Sequence, residues 1–269
     1  STSLLDENKI FHSGAGRISR LKMNTMSLFE SNDSSGDISI MDMYEGREIV
    51  KTVRKISLEE LANLIIRGGW PANINVAKDK YGLMPKYYIN SILEKDIYES
   101  KNVDSVKMQK LLKSLARNES TVVSNNKLIK DISDNDDLNI DKRTVSDYIE
   151  ILEKLNLFSN QLSYSTNYRS PERVGKNVKR HFTDPSLAAV LLNMNANKLI
   201  ADLKTFGFLF EALVERDLKI YMDYLDGNLY HFRDNVTGLE VDSILEFPDG
   251  EYAAVEIKLG FNQFKEACE

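Results

Sequence analysis

The sequence predicts an α+β chain: a helical region with a hairpin, then a long helix followed by three strands. Three observations predict it. Apolar residues recur every three or four positions in capped segments, most regularly over Lys142 to Leu155. Two extended segments, Phe158 to Tyr164 and Lys179 to Phe182, follow those helices. Apolar residues then alternate with polar ones in Leu239 to Phe247 and Glu251 to Leu259, on either side of Pro248-Asp249-Gly250, after a helical stretch from Ala201 to Tyr224.

The 269 residues suffice for two modest domains, and 42% hydrophobic with 28% charged residues is ordinary for a globular protein. One cysteine, Cys268, excludes an intramolecular disulfide framework and a C-x-x-C metal site, which fits a reducing cytoplasm. Nothing at the start resembles a signal peptide and no apolar run approaches the roughly 18 residues of a membrane span, so a soluble intracellular protein with no membrane partner is expected. The net charge of −6 does not mark the whole chain as a nucleic-acid binder. The charge is uneven, however. Arg169 to His181 carries five Lys or Arg against one acid, whereas Asp131 to Asp141 carries five Asp. Such a basic strip either binds phosphate or forms a surface loop of mixed purpose.

From the start of the chain, Ile18, Met23 and Leu28 suggest strands. Gly14-Ala-Gly16 is not followed by Lys-Ser/Thr, and without the G-x-x-x-x-G-K-[ST] pattern the chain does not bind ATP by a P-loop. Ser31 to Gly36 is a loop. Ser57 and Glu60 form a capping box for a helix to Arg67, stopped by Gly68-Gly69 with Trp70-Pro71 beyond. Tyr81 to Ser100 is a second helix with a core stripe of Tyr88 and Ile92. Helices follow over Val106 to Leu115, Asn126 to Ile132 and Lys142 to Leu155, the last with Val145, Tyr148, Ile149, Leu152 and Leu155 on one face. Three helices and a hairpin with a basic tip make the pattern of a winged helix. In that pattern Lys142 and Arg143 open the groove-reading helix, with Thr144 and Ser146 beside them, and Arg173, Lys176, Lys179 and Arg180 contact DNA phosphates. Winged helices also mediate protein contacts alone.

Asp184 caps the next helix, with Pro185 in its first turn. On the long helix, Glu211 lies on the stripe of Phe208, Val214 and Leu218, where a carboxylate needs a partner: a neighbour such as Arg216 or Lys219, or a metal. In the final hairpin, pairing Phe247 with Glu251 puts Asp242 opposite Glu256 and Glu240 opposite Lys258. Like charges directly opposite are destabilising, and a divalent cation reverses that sign. The pattern Glu240-x-Asp242, turn, Glu256-x-Lys258 therefore suggests a Mg²⁺ or Mn²⁺ site for phosphodiester cleavage. Glu211, Asp242 and Glu256 would hold the metal, and Lys258 would position the phosphate or the water. The alternative is a solvated sheet face whose charges pair crosswise, Glu240 with Lys258.

A helix bearing Glu211, three strands with E-x-D and E-x-K, and a following segment with Gln263 resemble the PD-(D/E)XK nuclease superfamily, in its Holliday-junction-resolvase-like branch. The resemblance implies an αβββα restriction-endonuclease-like module, with Asp242, Glu256 and Lys258 catalytic, Glu240 beside them and Gln263 as the helix glutamine. More broadly, His12-Ser-Gly-Ala-Gly-Arg-Ile18, Met26-Ser-Leu-Phe-Glu30, Arg67-Gly-Gly-Trp-Pro71, Leu115-Ala-Arg-Asn118, Lys179-Arg-His-Phe-Thr-Asp-Pro-Ser-Leu187 and Gly207-Phe-Leu-Phe-Glu211 resemble the carboxy-terminal half of prokaryotic AAA+-type ATPases carrying the domain of unknown function 4143. That resemblance implies residues 1–50 as the end of an upstream P-loop domain, 51–100 as a helical linker, 101–195 as winged-helix-like and 196–269 as nuclease-like, truncated at its C-terminus. It also implies ATP binding only through the missing upstream domain and places Arg17 in the ATPase sensor region. DNA is the expected partner, a non-catalytic protein-interaction role is the alternative, and self-association is left open.

Overall fold

A computed structural model describes residues 23–48, 55–94, 103–133, 139–175, 177–234 and 236–260. The short helix α1 (Ile40–Tyr44), capped by Ser39, has no counterpart in the sequence reading. No strand forms between Met23 and Glu30, contrary to the alternation expected there. The Met26 N–H instead donates to the Gly69 carbonyl at 2.7 Å, and the Leu28 N–H donates to Asp217 at 2.9 Å. The segment is thus held to the turn after α2 and, through Asn24 and Leu28, to Asp223 and Asp217 of the later long helix. Ile18 lies outside the described residues.

Helix α2 (Leu58–Arg67) begins on the expected capping box, with Ser57 and Glu60 bonded reciprocally at 3.1 Å. It ends because Gly68 takes a φ of 64°, a left-handed conformation that glycine adopts without strain. Helices α3 (Leu83–Ile92), α4 (Ser105–Arg117), α5 (Asn125–Ser133) and α6 (Lys142–Lys154) follow the apolar stripes, and α4 and α6 are capped by Asp104 and Asp141. A two-residue strand β1 (Thr121–Val122) precedes α5. After β2 (Phe158–Ser163) and β3 (Lys179–Phe182) come α7 (Pro185–Leu191), α8 (Ala196–Ala201) and α9 (Leu203–Tyr224). Strands β4 (Asn228–Arg233), β5 (Glu240–Glu246) and β6 (Tyr252–Val255) complete the described elements. The fold class is α+β, as the sequence predicts.

One six-stranded sheet, in the order β1-β3-β2-β4-β5-β6, joins these strands. Neighbours are antiparallel except β2 and β4, which run parallel with Leu162 opposite Tyr230 and Ser163 opposite His231. The β2–β3 hairpin therefore continues into the three-stranded meander β4–β6. The main core, from Leu61 through Leu115, Leu152 and Leu187 to Phe206 and Leu213, is likewise continuous. Sheet and core cross the boundaries expected at residues 100 and 195, so the described parts of those units share one interior. A smaller cluster of Met222, Leu245 and Phe247 seats the C-terminal half of α9 on β5, and Tyr44 of α1 stacks on Phe247 at 4.2 Å.

A buried polar brace sets the position of α9. Asp184, fully buried, accepts from the Gly69 N–H at 2.8 Å, from the N–H and hydroxyl of Ser186 at 3.0 and 2.6 Å, and from Arg216 at 3.1 Å. Arg216 also pairs with Asp217 at 2.7 Å. A buried charge needs such partners. The brace ties the end of α2, the start of α7 and the middle of α9 together, and so aims Glu211 and Glu215 of α9 at strand β3.

Candidate functional site

Alternation along β3 sends Lys179 and His181 to one side and Arg180 and Phe182 to the other. On the first side they meet Glu211 and Glu215, which are four residues apart and so share a face of α9. The Lys179 ammonium bonds Glu211, lies 3.2 Å from Glu215 Oε1, donates to the Asp242 carbonyl at 3.2 Å and sits 3.9 Å from Asp242 Oδ1. Two like charges on one helix face repel, and the ammonium between them removes that repulsion. Burial pushes the Glu211 carboxyl up to about 7 against the pull of Lys179. For Glu215 burial also raises the pKa, but His181 and Lys179 outweigh it and hold it below the usual carboxylate range.

His181 has acceptors on both ring nitrogens. Nε2 bonds Gln161 Oε1 at 3.1 Å and lies 2.8 Å from Glu215 Oε2 as an ion pair, and Nδ1 lies 3.5 Å from both the Ser120 hydroxyl and Glu119. Only an imidazolium can donate from both nitrogens. Burial opposes its charge, but Glu215 and Glu119 prevail and its pKa rises to about 9. Glu119, wholly enclosed, is raised by burial and accepts from the Phe182 N–H at 3.1 Å.

The final hairpin has the expected register. The Phe247 N–H donates to the Glu251 carbonyl at 2.8 Å, and Ser243 lies opposite Val255, so Asp242 and Glu256 are the next pair. The strand β6 nevertheless stops at Val255 rather than Leu259. At the next position the two carboxylates replace the ladder: Asp242 Oδ2 accepts from the Ile257 N–H at 2.8 Å and the Asp242 N–H donates to Glu256 at 3.4 Å. Lys258 reaches between them, bonding Glu256 and lying 3.7 Å from Asp242 Oδ2. Burial raises Asp242 above its ordinary value, while the Ile257 N–H and Lys179 oppose the shift. Glu240 does not pair crosswise with Lys258; Arg233 on β4 holds it at 2.6 Å.

Glu211, Asp242, Glu256 and Lys258 therefore converge, and exposure grades across them. The side chain of Glu215 is 3% exposed, that of Lys179 9%, and those of Glu256 and Lys258 29% each. The Glu256–Lys258 side is the more exposed. A small cleft lined by Asn24, Gln161, His181, Glu215, Arg216 and Lys219 has a volume of about 60 Å³, too little for a nucleotide.

Among the described residues, no three His, Cys, Asp or Glu side chains are gathered as a metal-ion cage. The reason is local: Lys179 stands between Glu211 and Asp242, and Lys258 between Asp242 and Glu256. The donors are still the carboxylate oxygens that a hard divalent cation takes, and cationic groups already lie between them. As placed, however, those oxygens are paired with Lys179 and Lys258 and form no group able to hold an ion.

Arg173, Lys179 and Arg180 of the basic strip turn inward, while Arg169 is exposed. Arg173 is bonded to both oxygens of Glu246, at 2.7 and 3.3 Å, and packs against the rings of Tyr164, Tyr168 and Tyr230. Arg180 donates to the Val123 carbonyl and to Asn125 at 3.0 and 2.8 Å, and Lys179 is consumed by the carboxylates. All three turn inward because the β2–β3 hairpin is built into the sheet. Lys142 and Arg143 at the start of α6 stay exposed, Arg143 being 92% exposed at its side chain. Lys176, Gln263 and Arg17 lie outside the described residues.

The sequence reading missed Glu215 and His181, which the helical repeat of Glu211 and the strand repeat of Lys179 could have signalled. Glu119 and Gln161 carry no such signal, since loop and sheet geometry bring them in. The family profile described as Domain of unknown function (DUF8612) matches residues 58–198, just over half of the chain. No curated protein and no solved structure matches.

Proposed function

Since the chain belongs to the DUF8612 family, whose description names no activity, we propose its function from the chemistry of its own residues: a DNA-binding part carrying a metal-dependent, endonuclease-like centre. The observation that carries this reading is the convergence of Glu211, Asp242, Glu256 and Lys258 from helix α9, strand β5 and the segment after β6. Charge supports it further. Among the described residues, Glu119, Glu211, Glu215, Asp242 and Glu256 form ion pairs with Lys179, His181 and Lys258. Even with Glu119 neutral the excess is negative, and a DNA phosphate would be repelled without a further cation.

Glu211, Asp242 and Glu256 would hold Mg²⁺ or Mn²⁺, which when bound supplies charge neutralisation and an activated water. Lys258, the more exposed of the two lysines and bonded to Glu256, would orient a phosphate or the attacking water. Lys142 and Arg143, exposed at the start of α6, would contact DNA from the winged-helix-like part. Following the resemblance to DUF4143-bearing AAA+-type ATPases, ATP hydrolysis would belong to a part of the protein outside this chain. The inward turn of Arg173, Lys179 and Arg180 favours a second reading for the helical part, recognition of a protein partner.

The test is nicking of supercoiled plasmid in Mg²⁺ or Mn²⁺. The wild type should nick, and Asp242→Ala should lose about 10²-fold or more, as expected for loss of a group acting in the transition state. No metal-dependent nicking by the wild type would leave the interaction reading.

A further inference from the structure

The small cleft beside the charged cluster lies between α9, which gives it Glu215 and Lys219, and the sheet, which gives it Gln161 of β2 and His181 of β3. Its volume of about 60 Å³ is about twice a water molecule's share of the liquid, which limits an occupant to a few non-hydrogen atoms. Glu215 decides its chemistry. Oxygen Oε1 faces away from it, 3.2 Å from the Lys179 ammonium and 3.4 Å from the Ser243 hydroxyl, and neither of those residues lines the cleft. Oε2 lies 2.8 Å from His181 Nε2, whose hydrogen bond goes to Gln161 Oε1. Among the described residues, Oε2 is one of three buried side-chain atoms with no hydrogen-bond partner, on a side chain that is 3% exposed. It has a countercharge beside it and no donor in line, and leaving a buried acceptor unmet is costly.

Charge narrows the donor. A ligand ammonium at Oε2 would meet the His181 imidazolium, so a neutral hydroxyl fits there better. One turn further along the same face of α9 stands Lys219, 41% exposed and 3.6 Å from an equally open Asp223. Arg216, also on the wall, is by contrast held by Asp184 and Asp217. Lys219 is thus the cation with room for an incoming anion. We propose that this cleft binds a small hydroxylated carboxylate, whose hydroxyl donates to Glu215 Oε2 and whose carboxylate pairs with Lys219. The ligand needs no ion and no cleavage chemistry. It reaches the charged cluster only through Glu215, whose two oxygens then serve the ligand and Lys179.

Titration of the ¹⁵N-labelled chain with glycolate, followed in the amide resonances, tests this, with acetate as the matched probe that lacks the hydroxyl. Glycolate should shift the amides of Gln161, His181 and Lys219 with a dissociation constant on the order of 1 mM. Acetate should bind about tenfold more weakly, because Oε2 stays unmet. Lys219→Met, at a position that leaves the buried pairs intact, should weaken glycolate about fivefold. Equal affinities for glycolate and acetate would overturn the proposal, as would shifts that do not saturate or do not localise to the cleft. Unchanged glycolate affinity in Lys219→Met would overturn it as well. The glycolate and acetate comparison is made on the wild type and does not depend on a variant folding.

Discussion

Asp184 shows how single polar residues hold this interior. It has no solvent exposure, caps α7 and answers the charge of Arg216 on α9. Asp184→Ala should destabilise the chain by about 3–5 kcal/mol, because it strands a buried guanidinium; chemical denaturation measures it, and a loss under 1 kcal/mol would contradict the brace. Arg173 makes a complementary case. Arg173→Met removes its bonds to Glu246 and its three aromatic contacts, and should reduce stability by about 2–4 kcal/mol while leaving DNA affinity unchanged. Substituting Lys142 and Arg143 together should do the reverse, weakening DNA binding and flattening its salt dependence in a fluorescence-anisotropy titration.

At the scale of elements, β3 gathers the buried charges, and its contribution should depend on pH. The folded pKa of His181, about 9, lies above its ordinary 6.5. Its stabilisation is therefore complete below pH 6.5 and is lost as pH rises through about 9. Glu211, raised to about 7, acts in the same direction, since it must ionise inside the fold as pH rises from its ordinary 4.5. Unfolding free energy should fall by on the order of 2 kcal/mol between pH 6.5 and 9. A flat profile in the wild type, or an unchanged slope in His181→Gln, would contradict this origin. Helices were legible at this scale because caps and apolar periods are local: Ser57, Asp104, Asp141 and Asp184 each mark a start. Strand extent was less so. The last strand reads as nine residues and ends after Val255 because the Asp242–Glu256 repulsion opens the ladder, a cross-strand effect that alternation does not encode.

At the scale of the molecule, the parallel join of β2 to β4 makes one sheet from units that composition and motif order suggest are separate. That pairing is non-local and leaves no periodic trace in the sequence, so the inward turn of the basic strip was not legible either. The pairing of Asp242 with Glu256 was legible from strand alternation, but the partner of Glu211 was not: it is Lys179 of β3, rather than Arg216 or Lys219 of its own helix. A shared core predicts one cooperative unfolding transition, with the fluorescence of the single Trp70 and the far-ultraviolet circular dichroism coinciding. Separated transitions would mean that the core is divided. The central claim is that carboxylates from α9 and β5 act in a single metal-dependent centre. Its most direct test is the plasmid-nicking rate of Glu211→Gln, Asp242→Asn and the double variant under one Mn²⁺ concentration. Members of one centre are non-additive, so the double variant should be no slower than the slower single variant; losses that multiply, or single variants that cleave like the wild type, would contradict it.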